Sequence, residues 1–392
     1  MKKIKLQDFN SLSKKDFGKT VKILPTKLLE YLEANELPIE KEKAIIQIAN
    51  FLGDLEIKRK EFNSTTLVIP KAIFVNFFSV HTYKQFYQIL KENRILTQVS
   101  YESGIGYDMN NGIAKQYRLH NEYIDNNDFT IVIFNKKNKK KKIDIDTNVN
   151  ISFLNTICKE ELDYYQVFIK EYEHHNKYNT TLNSLYTRIV RALSLNIHRY
   201  IKKGIKVNRI YHSFSNLSRV TRECFNTKFL NIDLKNSQPV LLVYYLIINN
   251  LDFENEYKEV CENGMFYELF YDLYDNIENL EDKRKKVKTS IYESLFFSFN
   301  TNRRVNKRFK ELYPKIWNIL NNLNENKIEL AGILQNIEAE IFNNLELKYS
   351  SKYFTLFDAI YFNDKRDLNS IVKQILEAGN KINLKLTLDI KL

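Results

Sequence analysis

The stretch that most constrains the fold is the unbroken apolar run Val240–Ile248, VLLVYYLII, placed directly after Asn231–Pro239, NIDLKNSQP. The run reads as a buried helix, so the chain must supply a core around it. Ahead of it Phe229, Leu230 and Ile232 form a short apolar lead ending at Asp233. One carboxylate therefore stands at a strand end, before a polar turn and a buried helix. That arrangement can hold a metal ion near phosphates.

A chain of 392 residues with 44% hydrophobic residues is long enough for two or three domains with their own cores. Lys plus Arg at 60 against Asp plus Glu at 48 gives a net charge of +12, which points to a polyanionic partner. Cys158, Cys224 and Cys261 are far apart, fit neither a disulfide framework nor a zinc pattern, and suggest a reducing, cytoplasmic setting. The first residues, MKKIKLQDFNSLSKKDF, lack an apolar signal core, and no apolar stretch is long enough to span a membrane. With only 9 glycines and 5 prolines, loops should be short and helix should dominate.

Along the chain, Thr26–Ala34 reads as a helix, and Ala44, Ile45, Ile48, Ala49 and Leu52 give residues 40–54 an amphipathic pattern. A helix over Thr82–Asn93 is followed by two β-rich runs, Gln98–Tyr107 and Ala114–His120, joined by a turn with the pair Asn111-Gly112. Helix, helix, two-stranded wing is the order of a winged helix-turn-helix, in which Lys84, Lys91, Arg94, Lys115 and Arg118 would meet phosphates. The same order also packs protein–protein modules. After the strand FTIVIF, six lysines between Lys136 and Lys142 mark a basic linker. From Ile151 to Ile205 the pattern is helical. The helix expected over Thr181–Lys203 carries Arg188, Arg191, Arg199, Lys202 and Lys203, which suits either a nucleic-acid channel or an ordinary exposed face.

The chemistry concentrates beyond residue 230. On a helix over Lys283–Phe299, Arg284, Lys288, Tyr292 and Phe296 recur every four residues, so two cations and two rings share one face. Cations bind a triphosphate, and rings stack on a base. Further on, apolar residues on both sides of Asp358 suggest a hairpin strand with one carboxylate buried in it, neutralised by a cation. Asp233 and Asp358 then suit two Mg²⁺ ions, because all the proposed ligands are hard oxygens; Mn²⁺ is a possible substitute.

In this order the segments resemble the palm and fingers of family A DNA polymerases, the group related to single-subunit phage-type RNA polymerases. RIYHSFSNLSR (Arg209–Arg219) resembles the segment before the first catalytic motif, and the resemblance implies nucleic-acid contacts by Arg209, Asn216 and Arg219. IDLKNSQP resembles motif A, with Asp233 as its metal-binding acid. Arg284–Phe296 is similar to the motif B helix. There the likeness implies phosphate binding by Arg284 and Lys288, Tyr292 beside the incoming sugar and Phe296 beside the template base. FKELYPKIW resembles the Phe-x-x-x-Tyr-Pro stretch, Gln335 falls where a Gln contacts the duplex, and FDAI, with Asp358, resembles motif C.

Departures accompany the likeness. Phe357 and Ala359 replace the residues that flank the motif C acid, Phe297 replaces a Gly, and Gln238 stands where a Glu would exclude a ribose 2′-hydroxyl. No acidic exonuclease pattern occurs early in the chain, so proofreading is not expected.

The expected fold is α+β and helix-rich: a winged-helix-like domain (residues 1–125), a basic linker (126–150), a helical thumb-like region (151–207), and a reduced polymerase palm and fingers with a small antiparallel sheet (208–392). The expected activity is a template-directed DNA polymerase of a phage or mobile element, acting on DNA as primer-template or single strand with dNTPs or NTPs, away from membranes. The alternatives are an RNA polymerase, primase or template-independent transferase on the same palm, and a non-catalytic DNA-binding replication initiator or regulator.

Overall fold

A computed structural model describes the chain except for residues 63, 100–115, 136–141, 146–161, 196–197, 205, 298, 300 and 392. It is helix-rich with small antiparallel sheets, an α+β arrangement. Among the described residues no helix is long and apolar enough to cross a membrane. The scarcity of glycine and proline favours long helices: Lys41–Phe62 runs 22 residues, and Lys71–Glu92 spans 22 with a break at Ser79. The chain divides into two compact units. The first is drawn from Met1–Asp144, Cys158–Tyr200 and His212–Asn226, and the second from Ile145–Ile157, Ile201–Tyr211 and Thr227–Leu392.

The first unit contains β1 (Lys2–Lys5), β2 (Thr20–Pro25), β3 (Thr66–Val68), β4 (Leu96–Gln98), β5 (Gln116–Leu119) and β6 (Phe129–Phe134). They form two antiparallel sheets, ordered β1-β6-β2 and β3-β5-β4. Strand β6 is buried at every position. Its sequence FTIVIF therefore belongs to the core rather than to a linker, as expected for a β-branched and aromatic run covered on both faces. The lysine run itself, residues 136–141, lies outside the described residues.

The helix Thr26–Ala34 has the bounds read from the sequence. Lys71–Glu92 begins earlier than the expected Thr82–Asn93 and is broken by Ser79 at φ 71° and ψ 163°, so the expected helix is its second half. Strand β5 lies inside the second run, Ala114–His120, while the first run, Gln98–Tyr107, meets β4 only at Gln98 and lies outside the described residues from residue 100 on. The expected hairpin turn and Lys115 lie outside the described residues.

Next in the chain come β7 (Lys142–Ile145), the helices Tyr164–Tyr178 and Leu182–Ser194, β8 (His198–Lys203) and β9 (Ile210–His212). The helix expected to reach Lys203 thus stops at Ser194, and the chain is extended from His198. Its arginines do not form an exposed basic face. Arg188 donates to the Glu171 carboxylate at 2.5 Å, Arg191 donates to the Glu56 carbonyl at 3.0 Å, and Arg199 is only 1% exposed. Buried carboxylates and carbonyls need donors, and these arginines are the donors.

The second unit holds β10 (Leu230–Leu234), β11 (Tyr353–Leu356), β12 (Ala359–Phe362) and β13 (Leu388–Lys391), an antiparallel sheet ordered β11-β12-β10-β13. Strand alternation turns Ile232, Leu234, Ile360 and Phe362 into the core, while Asn231 and Asp233 point to the opposite face. The helix Ser237–Ile248 supplies buried Val240, Leu241, Leu242, Val243 and Leu246 to that core. The sheet and residues such as Trp317, Leu334 and Ile371 thus enclose the apolar run as far as Leu246, while Ile248 at its end is 47% exposed.

Candidate catalytic site

Asp233 is the penultimate residue of β10. In register it lies opposite Ala359 of β12 on one side and Asp389 of β13 on the other. Because Leu356 pairs with Ala359, residues Phe357 and Asp358 form a two-residue hairpin turn. Such turns favour positive φ, and Phe357 has φ 55°, a conformation unusual for a bulky side chain. The Asp358 carbonyl accepts the Leu234 N–H at 3.0 Å, which ties the turn to the end of β10. Asp358 is therefore in a half-exposed turn and not buried in a strand. The apolar residues around it belong to the two strands, where Phe354, Leu356, Ala359 and Ile360 are buried.

Burial and the neighbouring Asp358 charge push the Asp233 carboxyl up to about 6, against the pull of Lys391 and Lys288. Burial penalises the charged form and Asp358 adds a like charge, and together they outweigh the two lysines. Asp389 takes Lys391 as its own partner at 2.8 Å. The alternating sequence LKLTLDIKL carries the signal for β13 and for this third acid.

A fourth acid, Glu338, lies on the helix Leu330–Asn343 and is 1% exposed. Arg209 grips it with both arms, Nε to Oε1 at 2.7 Å and Nη2 to Oε2 at 2.5 Å. Burial nevertheless pushes the Glu338 carboxyl up to about 7, with Asp358 and Asp233 adding to the rise. The Arg209 guanidinium also lies 4.8 Å from the centroid of the Phe357 ring. Arg209, expected on nucleic acid, is thus engaged by Glu338 and the hairpin turn, because a buried carboxylate holds its cation firmly. Gln335 is half-buried on the same helix.

The cationic side of the site is the helix Leu280–Ile291, started by the Asn279 side chain, which accepts from the Glu281 and Asp282 N–H groups at 2.9 and 3.0 Å. Val287 and Ile291 anchor it in the core. Arg284 forms an ion pair with Glu268, donates to Asn236 Oδ1 at 3.1 Å and lies 5.3 Å from the Tyr267 ring. Asn236, at φ 50°, turns the chain from β10 into the following helix. Lys288 is exposed, with Nζ 5.5 Å from the Tyr292 ring centroid. Burial raises the Tyr292 phenol, and the Ser237 hydroxyl beside it pulls the other way.

The four-residue spacing then breaks. Residues Tyr292–Phe296 form a π-helical turn, closed by the Phe297 N–H donating to the Tyr292 carbonyl at 2.9 Å. A turn with a five-residue step rotates every later side chain. Phe296 consequently enters the core at 2% exposure, where its ring meets the Tyr292 ring edge-on with centroids 6.0 Å apart. Phe297 is 51% exposed and stacks on Tyr292, with centroids 5.7 Å apart and planes at 26°. Gln238, expected beside the sugar, is 2% exposed, with Oε1 lacking a hydrogen-bond partner. It lies in the first turn of a helix whose start is buried on successive residues.

The remaining expected nucleic-acid contacts fall in the first unit. Asn216 donates to the Tyr200 hydroxyl, and exposed Arg219 lies 3.7 Å from Glu223. Lys84 and Arg118 are exposed, and Arg94 pairs with Glu122.

Among the described residues no group of three or more Asp, Glu, His or Cys side chains is disposed to hold a metal ion. Asp233 and Asp358 provide hard, accessible oxygens, which fit a divalent cation that takes its other ligands from water and a phosphate. No protein-family model and no curated protein matches the chain.

Proposed function

We propose that this chain is a nucleotidyltransferase that extends a nucleic-acid 3′ end from triphosphates, in the manner of a template-directed DNA polymerase. The observation that carries this reading is the meeting of Asp233 with the Asp358 turn, anchored by the Leu234 N–H at 3.0 Å, with exposed Lys288 acting on the same carboxylate. The resemblance of β10, the Leu280–Ile291 helix and the β11-β12 hairpin to family A polymerase motifs supports the same reading.

The reaction joins the 3′ oxygen to the α-phosphorus and releases pyrophosphate. Asp233 and Asp358 would hold Mg²⁺, which supplies the positive charge that lowers the hydroxyl pKa and stabilises the leaving group. Exposed Lys288 would take a phosphate oxygen by charge. Arg284 rests on Glu268 and Asn236, so a triphosphate must compete with these partners for its guanidinium. In the first unit, the order of helix, strand, kinked helix and two strands, with sheet order β3-β5-β4, supports a winged-helix reading in which Lys84 and Arg118 meet DNA phosphates.

The test is incorporation of labelled nucleotide on a primer-template with Mg²⁺ or Mn²⁺. Activity in the wild type and a fall of at least ~10²-fold in Asp233→Asn, with unchanged circular dichroism, are expected. A wild type inactive with both deoxy and ribo substrates, or an undiminished variant, would overturn the proposal. The burial of Gln238 favours a second reading on the sugar, since it leaves that side chain off the surface that would exclude a 2′-hydroxyl. Comparable use of NTPs and dNTPs supports this reading, and strict dNTP use rejects it.

A further inference from the structure

We propose that the outer edge of β13 joins two copies of this chain. Their Leu388–Lys391 strands pair antiparallel about a two-fold axis at Ile390, which sets Asp389 of each copy opposite Lys391 of the other.

The backbone fixes which residues can take part. Strand β13 ends the sheet order β11-β12-β10-β13, and among the described residues no strand pairs with its outer edge. The Lys235 N–H donates to the Thr387 carbonyl at 2.9 Å, which carries the register of Asp233 with Asp389 and Leu234 with Leu388 one residue further. Antiparallel strands bond at alternate pairs, so Thr387, Asp389 and Lys391 turn their peptide groups toward β10. Leu388 and Ile390 turn theirs away from it. Strand β10 keeps the same alternation, because the Leu234 N–H goes to the other side, to the Asp358 carbonyl at 3.0 Å. Ile390 therefore presents an N–H and a C=O outward, beside a side chain that leaves the residue 42% exposed. An open strand edge is a template for another strand.

Charge then selects the partner and the register. Two copies can bond only where outward-facing residues meet, which leaves few arrangements. Centred on Asp389, the pairing sets that carboxylate against its own copy, and like charges directly opposite each other are unfavourable. Centred on Leu388, it sets Asp389 against Thr387 and brings no opposite charges together. Centred on Ile390, it places Asp389 opposite Lys391 twice, while the two Ile390 residues exchange both backbone bonds and pack side by side. Within one chain Asp389 and Lys391 already attract each other at 2.8 Å, with side chains 43% and 47% exposed. A lysine on an edge strand ordinarily deters pairing. The acid two residues before it removes that deterrent for a second copy of this chain.

Sedimentation equilibrium of the full chain up to about 300 µM tests the proposal, since a short strand pairing is populated in that range. The wild type forms dimers reversibly. Asp389→Lys and Lys391→Asp, which set like charges opposite each other, each weaken dimerisation by roughly 10-fold or more. The double variant, Asp389→Lys with Lys391→Asp, restores the opposition of charge and recovers the dimer. Ile390→Pro removes the outward N–H without removing a bond to β10, so it keeps the circular dichroism of the wild type and abolishes the dimer.

A wild type that stays monomeric overturns the proposal, as does a dimer that survives Ile390→Pro or the single charge reversals undiminished. A double variant that is folded yet monomeric also overturns it. Should a single reversal fail to fold, the double variant and Ile390→Pro still decide. Dimerisation is read without nucleotide or nucleic acid, so neither result depends on the proposed function.

Discussion

Two pairs of carboxylates, one pair in each unit, are treated in opposite ways. In the first, Glu171 is fully buried and accepts from Arg188 at 2.5 Å, from Thr221 at 2.6 Å and from Ser218. Glu56, at 1% exposure, accepts from Arg59 at 2.9 Å and from Thr187 and Tyr123, each at 3.0 Å. In the second, Asp233 and Asp358 are half-exposed and act on each other as like charges, with lysines contributing only a field. Satisfied buried acids hold helices together, whereas adjacent under-compensated acids at a sheet end are poised for a cation from outside. The difference separates scaffold from site more sharply than residue type does.

The comparison is most easily broken at Glu171. Replacing it with Ala leaves the Arg188 guanidinium, 13% exposed, without its counter-charge and strands the Ser218 and Thr221 hydroxyls. A loss of about 3–5 kcal/mol is expected from urea unfolding, the usual cost of removing one partner of a buried pair. A loss below about 1 kcal/mol would show that Glu171 is no more structural than Asp233.

Asp233→Asn should move stability the other way. The unfolded carboxyl titrates near 3.8 and the folded one near 6, so the folded state holds the proton more tightly. That stabilisation is complete below the lower value and is lost as pH rises through the upper one. An Asn side chain never ionises and keeps it. The variant should therefore be more stable than wild type by about 1–3 kcal/mol at pH 8, with the gap closing as the pH falls toward 4. Thermal unfolding at the two pH values measures this. Saturating Mg²⁺ should narrow the gap at pH 8 by stabilising the wild type alone. A destabilised variant at pH 8 would place Asp233 with the structural acids.

How much of this was legible in the sequence depended on the range of the interaction. The β10 strand, Asp233 near its end and the largely buried helix after it could be read because each is set by a local pattern. The Leu280–Ile291 helix and its cations could be read for the same reason. The π-helical step could not, since it depends on which of two adjacent rings, Phe296 or Phe297, the core takes in. The arginines of the Leu182–Ser194 helix were misassigned because Glu56 and Glu171 lie far from them in sequence. The resemblance implies a nucleic-acid contact for Arg209, and its pairing with Glu338 leaves no local trace because 129 residues separate them. Long-range pairing decides the fate of a charge, and a single sequence shows only the charge.

Glu338 lies between the two classes and gives the smallest and most discriminating effect. It is buried like Glu171 and has a two-armed partner in Arg209, yet it also feels Asp358 and Asp233. Its carboxyl is raised from 4.5 to about 7, so the cost of burying the ionised form outweighs the attraction of Arg209. Replacement by the neutral isostere Gln removes that cost together with the attraction. Glu338→Gln should therefore cost less at pH 7 than the Glu171 replacement, because relief from burying the carboxylate offsets part of the cost of leaving Arg209 without its counter-charge. Urea unfolding of the two variants side by side decides the matter. A loss of 3 kcal/mol or more in Glu338→Gln would mean that Arg209 dominates and that Glu338 belongs to the scaffold. A near-neutral result would mean that the negative charge at this position is retained for the hairpin turn it faces through Arg209 and Phe357, and not for the stability of the unit.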